Sequence, residues 1–145
     1  MRKTNIMIIL IVAISMIFAS TEDVEAEKAA IREIVTEGYI EPVFVSGDIE
    51  AIKKGFHPKF NMLILKENSL VKYPLEEWIK SIEKREYPYK DVVVYDILSI
   101  DITGNAAVVK VEINISNQKK YSDYLSLYKF KDGWKIVNKI YFQHN

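Results

Sequence analysis

Side chains that could carry chemistry are few in this chain, and the clearest candidate is an aspartate in a strand-like segment. The stretch YSDYLSLYKF, residues 121–130, alternates apolar and polar positions as a half-buried β-strand does. If Leu125 and Leu127 face a core, the two-residue period places Asp123 on the same side. An ionised carboxylate is costly in an apolar interior unless a partner satisfies it. Asp123 is therefore predicted to serve a pocket, as a general base or a ligand contact, or to be a buried structural group bonded to an amide, Tyr or Trp donor.

Two further polar residues fall on the same predicted face. With turns at TGN, SNQKK and KDG, the last four strands form a meander in which Val109 lies opposite Leu127 and Leu127 opposite Asn138. In that register Asn138 and Asp96 point inward with Asp123. Asn138 could donate a hydrogen bond to a ligand or serve the structure. Asp96 lies near a strand start, where it could reach water, and a β-bulge would turn it outward.

Histidine and aromatic residues supply the remaining candidates. His57, in the segment GFHPKF, is predicted at the mouth of a pocket as an acid, base or ligand hydrogen-bonder; the alternative is a histidine that caps a helix or packs on Phe60. Trp78, Tyr39 and Phe60 could line a pocket or simply fill the core. The chain has no cysteine and two histidines, so no metal site and no cofactor are predicted.

The elements that would position these residues change character along the chain. Apolar residues at helical spacing predict a first helix, which Pro42 should bend or end near Glu41. Asp48 is placed to cap a short second helix. A hairpin around the polar tripeptide KEN and a third helix, ended by Pro88, come next. Four strands follow, approximately 91–102, 105–116, 120–130 and 134–142. Helices followed by an antiparallel meander predict an α+β fold with helices laid over one face of a curved sheet.

The first residues have the pattern of a secretory leader rather than that of a folded domain. Arg2 and Lys3 precede an apolar run from Ile6 to Phe18 and then small residues, which is the three-part pattern of a secretory signal. We expect residues 1–26 to be a signal peptide cleaved after residue 19 or 26, and residues 27–145 to form one domain. The apolar run is shorter than the roughly 20 residues that span a bilayer, so no membrane attachment is expected after cleavage. Export to the periplasm or medium of a bacterium follows. The net charge of 0 predicts no nucleic-acid partner.

The order helix, SGD, helix, FHP, hairpin, helix and meander, ending in DYLSLYKFKDGWKIVNKIYF, resembles the nuclear transport factor 2-like superfamily. Within it, the chain is similar to the bacterial group labelled putative lumazine-binding, from about residue 29 to 142. The resemblance implies a cone-shaped α+β roll that encloses a pocket and is often dimeric through the outer sheet face. The superfamily includes isomerases, dehydratases and cyclases as well as non-catalytic binding proteins, so the fold alone does not decide the function.

Three functions are compatible with these residues. The first is an exported, non-catalytic protein that binds a small apolar or aromatic molecule. The second is an isomerase, dehydratase or cyclase with Asp123 or His57 as general base. The third is a dimeric interaction module with a filled core. A homodimer is expected because the opposite sheet face is predicted to carry many aromatic and apolar residues, namely Tyr124, Tyr128, Phe130, Tyr141 and Val137, among Lys135 and Lys139.

Overall fold

The fold of the chain, known from a computed structural model that describes residues 23–145, consists of helical segments packed on one curled sheet. Helix α1 covers residues 23–35 and continues through two π-helical segments, Thr36–Ile40 and Pro42–Ser46. The other elements, in chain order, are α2 (Ile49–Gly55), β1 (Phe56–Lys66), β2 (Ser69–Pro74), α3 (Leu75–Ile82), β3 (Val93–Thr103), β4 (Ala106–Ile115), β5 (Gln118–Phe130) and β6 (Gly133–Gln143).

The six strands form one sheet in the order β2-β1-β6-β5-β4-β3. Every neighbouring pair is antiparallel except β1 and β6, which are parallel. The core lies between the helices and the inner sheet face; Ile31 and Ile52 of the helices and Val111 and Leu125 of the strands have no exposed surface. The α+β prediction, with helices on a curved antiparallel sheet, is confirmed.

The first helix passes through Pro42 rather than ending before it. In the π-helical segments the backbone N–H of Glu41 bonds to the carbonyl of Thr36, and that of Gly47 bonds to Pro42. These wider turns accommodate a residue that has no N–H of its own to donate. Gly47 then ends the helix in the left-handed region, at φ 75°. As predicted, the Asp48 side chain caps α2, accepting a hydrogen bond from the N–H of Ala51 at 3.0 Å.

Two glycines allow the first two helices to touch. A Cβ on Gly38 would lie 2.7 Å from the Cα of Gly55, and the reverse contact is equally short. Because no side chain fits in that space, the backbones cross in direct contact. This contact holds α2 against the segment that carries Tyr39.

The predicted register of the meander is right at its first turn and wrong at the next two, which pair Ile115 with Gln118 and Phe130 with Gly133. The turn at Gly104-Asn105 pairs Thr103 with Ala106, as expected. The next turn is a tighter one, in which Ser116 and Asn117 both have positive φ, followed by a bulge. Val109 therefore lies opposite Leu125 rather than Leu127. Because the error is two residues, Asp123 keeps its predicted inward direction.

Bulges turn two other residues outward: for Asp96 this was one of the expected alternatives, and for Asn138 it was not. In β3 the register shifts between Ile97 and Ser99, which turns Asp96 outward to an exposed position. In β6 the register against β5 shifts so that Leu127 pairs with Ile136, whereas Ser126 pairs with Asn138. The prediction that Asn138 shares the inner face is wrong. Beyond this bulge, Lys139 and Tyr141 point inward although they were predicted to face outward.

The predicted leader falls almost entirely outside the described residues, of which only 23–26 overlap it. No helix within residues 23–145 has the length and apolar character needed to cross a bilayer. Cleavage and export stay predictions.

Candidate functional site

Three side chains from three elements meet inside the core, and we call them the buried cluster: Tyr39, Asp123 and Lys139. The Tyr39 hydroxyl donates a hydrogen bond to Asp123 Oδ2, and Lys139 Nζ lies 2.8 Å from the same oxygen. Lys139 also donates to the Tyr39 hydroxyl. The Asp123 side chain is fully buried and that of Lys139 is 6% exposed, so water does not screen this ion pair.

Burial shapes the ionisation of the buried cluster. Removal from water raises the pKa of Tyr39 well above its usual 10.0, and the Asp123 charge raises it further. Burial also lowers the pKa of Lys139, while attraction to Asp123 opposes that change. The contact between Nζ and the carboxylate is that of an ammonium paired with an anion. Tyr39 is thus a neutral donor, and Lys139 and Asp123 compensate each other.

One oxygen of the cluster stays without a hydrogen bond. Asp123 Oδ1 is buried and has no partner among the described residues, since both contacts fall on Oδ2. Buried carboxylate oxygens usually bind a donor. The cluster is therefore sensitive to any change that weakens its Lys139 or Tyr39 contacts.

A cavity of about 300 Å³ opens beside this cluster. Lys139 contributes to its wall, and Asp123 does not. The wall is otherwise aromatic and aliphatic, with a serine and an arginine, and consists of Val43, Phe44, Met62, Ile64, Tyr73, Trp78, Ser81, Arg85, Tyr89, Ile115, Tyr121, Lys139 and Tyr141. Arg85 and Tyr89 are exposed residues on the segment after α3, so the cavity reaches the surface there.

The aromatic candidates from the sequence form one continuous cluster. Trp78 lines the cavity, and its ring lies 6.0 Å from Tyr39 and 5.8 Å from Phe60 between centroids. Tyr39 and Phe60 lie behind Trp78 and outside the lining. They position the tryptophan and Lys139 instead of forming the cavity surface.

The other two candidates lie apart from the cavity. His57 stacks on Phe130 with ring centroids 4.8 Å apart, and its Nδ1 accepts a hydrogen bond from the N–H of Lys59. Asn138 donates from Nδ2 to the carbonyl of Asn61 at 2.9 Å, where the pairing of β1 with β6 is irregular. Neither residue meets Asp123.

The sequence reasoning overlooked the cationic residues of the site. Lys139 was placed outward by the unrecognised bulge, and Arg85 lies on a segment that was assigned to helix. One signal could have found the lysine. A carboxylate buried on β5 requires a donor from a neighbouring element, and Lys139 is a cation on the adjacent strand.

Comparison with known proteins agrees with the geometry of the fold. Residues 26–142 match the model of a family described as "Putative lumazine-binding". No curated protein matches the chain.

Solved structures of similar fold come from several organisms. An NTF2-like protein of unknown function from Shewanella baltica is 24% identical, with a TM-score of 0.72 over 83% of this chain and 95% of that one. Another from Methylobacillus flagellatus is 25% identical, with a TM-score of 0.67 over 86% and 94%. A third structure, described as the S. rosetta CaMKII hub, is 21% identical, with a TM-score of 0.58 over 80% of this chain and 95% of that one.

The buried ion pair yields a stability prediction. Replacing Lys139 by Met leaves the Asp123 charge uncompensated, so we expect a loss of about 3–5 kcal/mol in the free energy of unfolding. The double variant Asp123→Asn with Lys139→Met removes that charge and should be more stable than Lys139→Met alone. Urea unfolding measures both.

Lys53→Met is the matched control, because the Lys53 side chain is exposed and pairs with the exposed Glu50. It should cost less than about 1 kcal/mol. Equal losses for the two lysine variants, or no recovery in the double variant, would contradict the compensating role of Lys139.

Proposed function

Because this chain belongs to the family described as putative lumazine-binding, we propose that it binds a small planar aromatic molecule in the cavity beside Trp78. The observation that carries the proposal is the composition of the cavity wall. Six of its residues are aromatic: Phe44, Tyr73, Trp78, Tyr89, Tyr121 and Tyr141. Aromatic faces and edges favour a flat ring system over a flexible aliphatic chain.

The size of the cavity supports a ligand of a few fused rings. Its volume of about 300 Å³ lies at the lower end of the range of roughly 300–1,000 Å³ that small-molecule sites occupy. Val43, Trp78 and Lys139 are buried residues of the wall, whereas Arg85 and Tyr89 stand at the surface. A ligand would enter beside these two residues and lie against Trp78.

The catalytic alternative has less support from the geometry. A general base must come within hydrogen-bond reach of the proton that it takes. Asp123 is separated from the cavity wall and its Oδ2 already accepts two contacts, while His57 stacks on Phe130 outside the cavity. A binding role requires neither side chain to contact the ligand.

Export of the protein is part of the same proposal. The charged start, apolar run and small residues of the first 20 positions support it. A ligand-binding domain of this kind would then meet its ligand outside the cytoplasm.

We expect lumazine, used as an aromatic probe, to bind the protein. A bulky side chain placed in the cavity should block that binding. Ser81→Phe adds a ring to a small residue of the wall and should abolish the heat of binding in calorimetry. Lys80→Phe adds the same ring to an exposed neighbour on α3, outside the wall, and should bind as the native protein does. Equal binding by both variants would place the ligand elsewhere.

The outer sheet face supports a second part of the proposal, a homodimer. Exposed apolar residues lie along adjacent strands of that face, among them Tyr124 at 41%, Tyr128 at 49% and Ile140 at 48% exposure. Lys110 and Glu112 on β4 give the face both signs of charge, which suits contact with a second copy of itself.

Tyr124 lies on the central strand of this face, between Lys110 and Ile140. Tyr124→Glu should therefore convert a dimer into a monomer in sedimentation at micromolar concentration. Leu65→Glu, a charge at a more exposed apolar position near the β1–β2 turn, should leave the dimer intact. A native protein that sediments as a monomer would remove the dimer from the proposal.

A further inference from the structure

The charged residues of the cavity wall are both cations. Lys139 and Arg85 line it, and no Asp or Glu belongs to the wall. Asp123 lies behind Lys139 and compensates its charge, at 2.8 Å from Nζ. The arginine therefore leaves the site with an excess of one positive charge.

Arg85 has little to occupy its donors. Within residues 23–145 its guanidinium donates one long hydrogen bond, from Nη1 to the carbonyl of Val43 at 3.4 Å, and lies beside the Tyr87 hydroxyl, which bonds the same carbonyl. None of the salt bridges in the described part of the chain includes it. A guanidinium presents five N–H groups, so most of them remain available to a ligand at the cavity mouth.

Further donors converge on the same space. The ammonium of Lys139 has three N–H groups, of which Asp123 and Tyr39 occupy two. The hydroxyls of Tyr121 and Tyr141 make no hydrogen bond to another described residue. Both hydroxyl oxygens are accessible, so a ligand in the cavity could contact them. Burial raises the pKa of both phenols, which keeps them protonated and able to donate.

We propose that the ligand is an aromatic acid bound as its monoanion, with its ring against Trp78 and its negative group held by Arg85 and Lys139. This inference rests on the proposed binding function and deepens it by naming the chemical class of the ligand. A single negative charge would neutralise the excess charge of the wall. A dianion would leave one charge uncompensated, and an aromatic amine would meet two cations.

The test compares two probes of the same shape, naphthoate and naphthamide, which differ in charge. Calorimetry at low salt should show naphthoate binding the native protein at least about tenfold more tightly than naphthamide, the ratio that corresponds to about 1.4 kcal/mol. Arg85→Gln should reduce that preference severalfold, because it should weaken naphthoate binding much more than naphthamide binding. Lys84→Gln removes an adjacent exposed cation that does not line the cavity, and should preserve the preference.

The outcomes separate the two proposals. If both probes bind equally well, aromatic binding stands and the inference of an acid is wrong. If naphthoate is preferred but Arg85→Gln and Lys84→Gln lower the preference equally, the general field of the protein is responsible and the inference is again wrong. If neither probe binds, and lumazine also fails to bind, the binding function fails together with the inference.

Discussion

The pairing of Asp123 with Lys139 is the constraint around which the interior of this protein is organised. Two charges removed from water cost several kcal/mol each unless they meet each other and further donors, and here Tyr39 supplies the third contact. The three residues come from the first helix, the fifth strand and the sixth strand. The cluster therefore ties the helical layer to the middle of the sheet by polar contacts inside an otherwise apolar core. An apolar replacement of the same volume could be as stable. The polar cluster is therefore better explained by the cation, Lys139, that it holds in the wall of the cavity.

That effect depends on an irregularity of one strand. The bulge in β6 changes which side chains face inward halfway along the strand: Trp134 and Ile136 before it, Lys139 and Tyr141 after it. The first pair packs in the closed end of the core. The second pair supplies a cation and a phenol to the open end. One extra residue in a strand thus divides the interior into an apolar half and a half that can receive a polar ligand.

The sequence was sufficient to predict the class of fold and the direction of Asp123, and the reasons are physical. Alternation over β4 and β5 is regular, and an error of two residues in the turn leaves the facing of every side chain unchanged. Single-residue bulges have the opposite effect, and no local sequence pattern marks those in β3 and β6. For that reason Asn138 was assigned to the site and Lys139 was not. Arg85 could not be found either. The sequence predicts a helix that continues to Pro88, whereas α3 ends at Ile82.

The contact between Gly38 and Gly55 makes the junction of the first two helices rigid. With no side chains between them, the two crossing backbones are already in direct contact and cannot move closer, so the helical segment that also carries Val43 and Phe44 of the cavity wall is held in place. The wall also includes Ile64 and Tyr73 of the β1–β2 hairpin and the segment bearing Arg85 and Tyr89. Opening and closing of the entrance should therefore depend on motions of the hairpin and of that segment. These motions would set the rate at which a molecule enters or leaves the cavity.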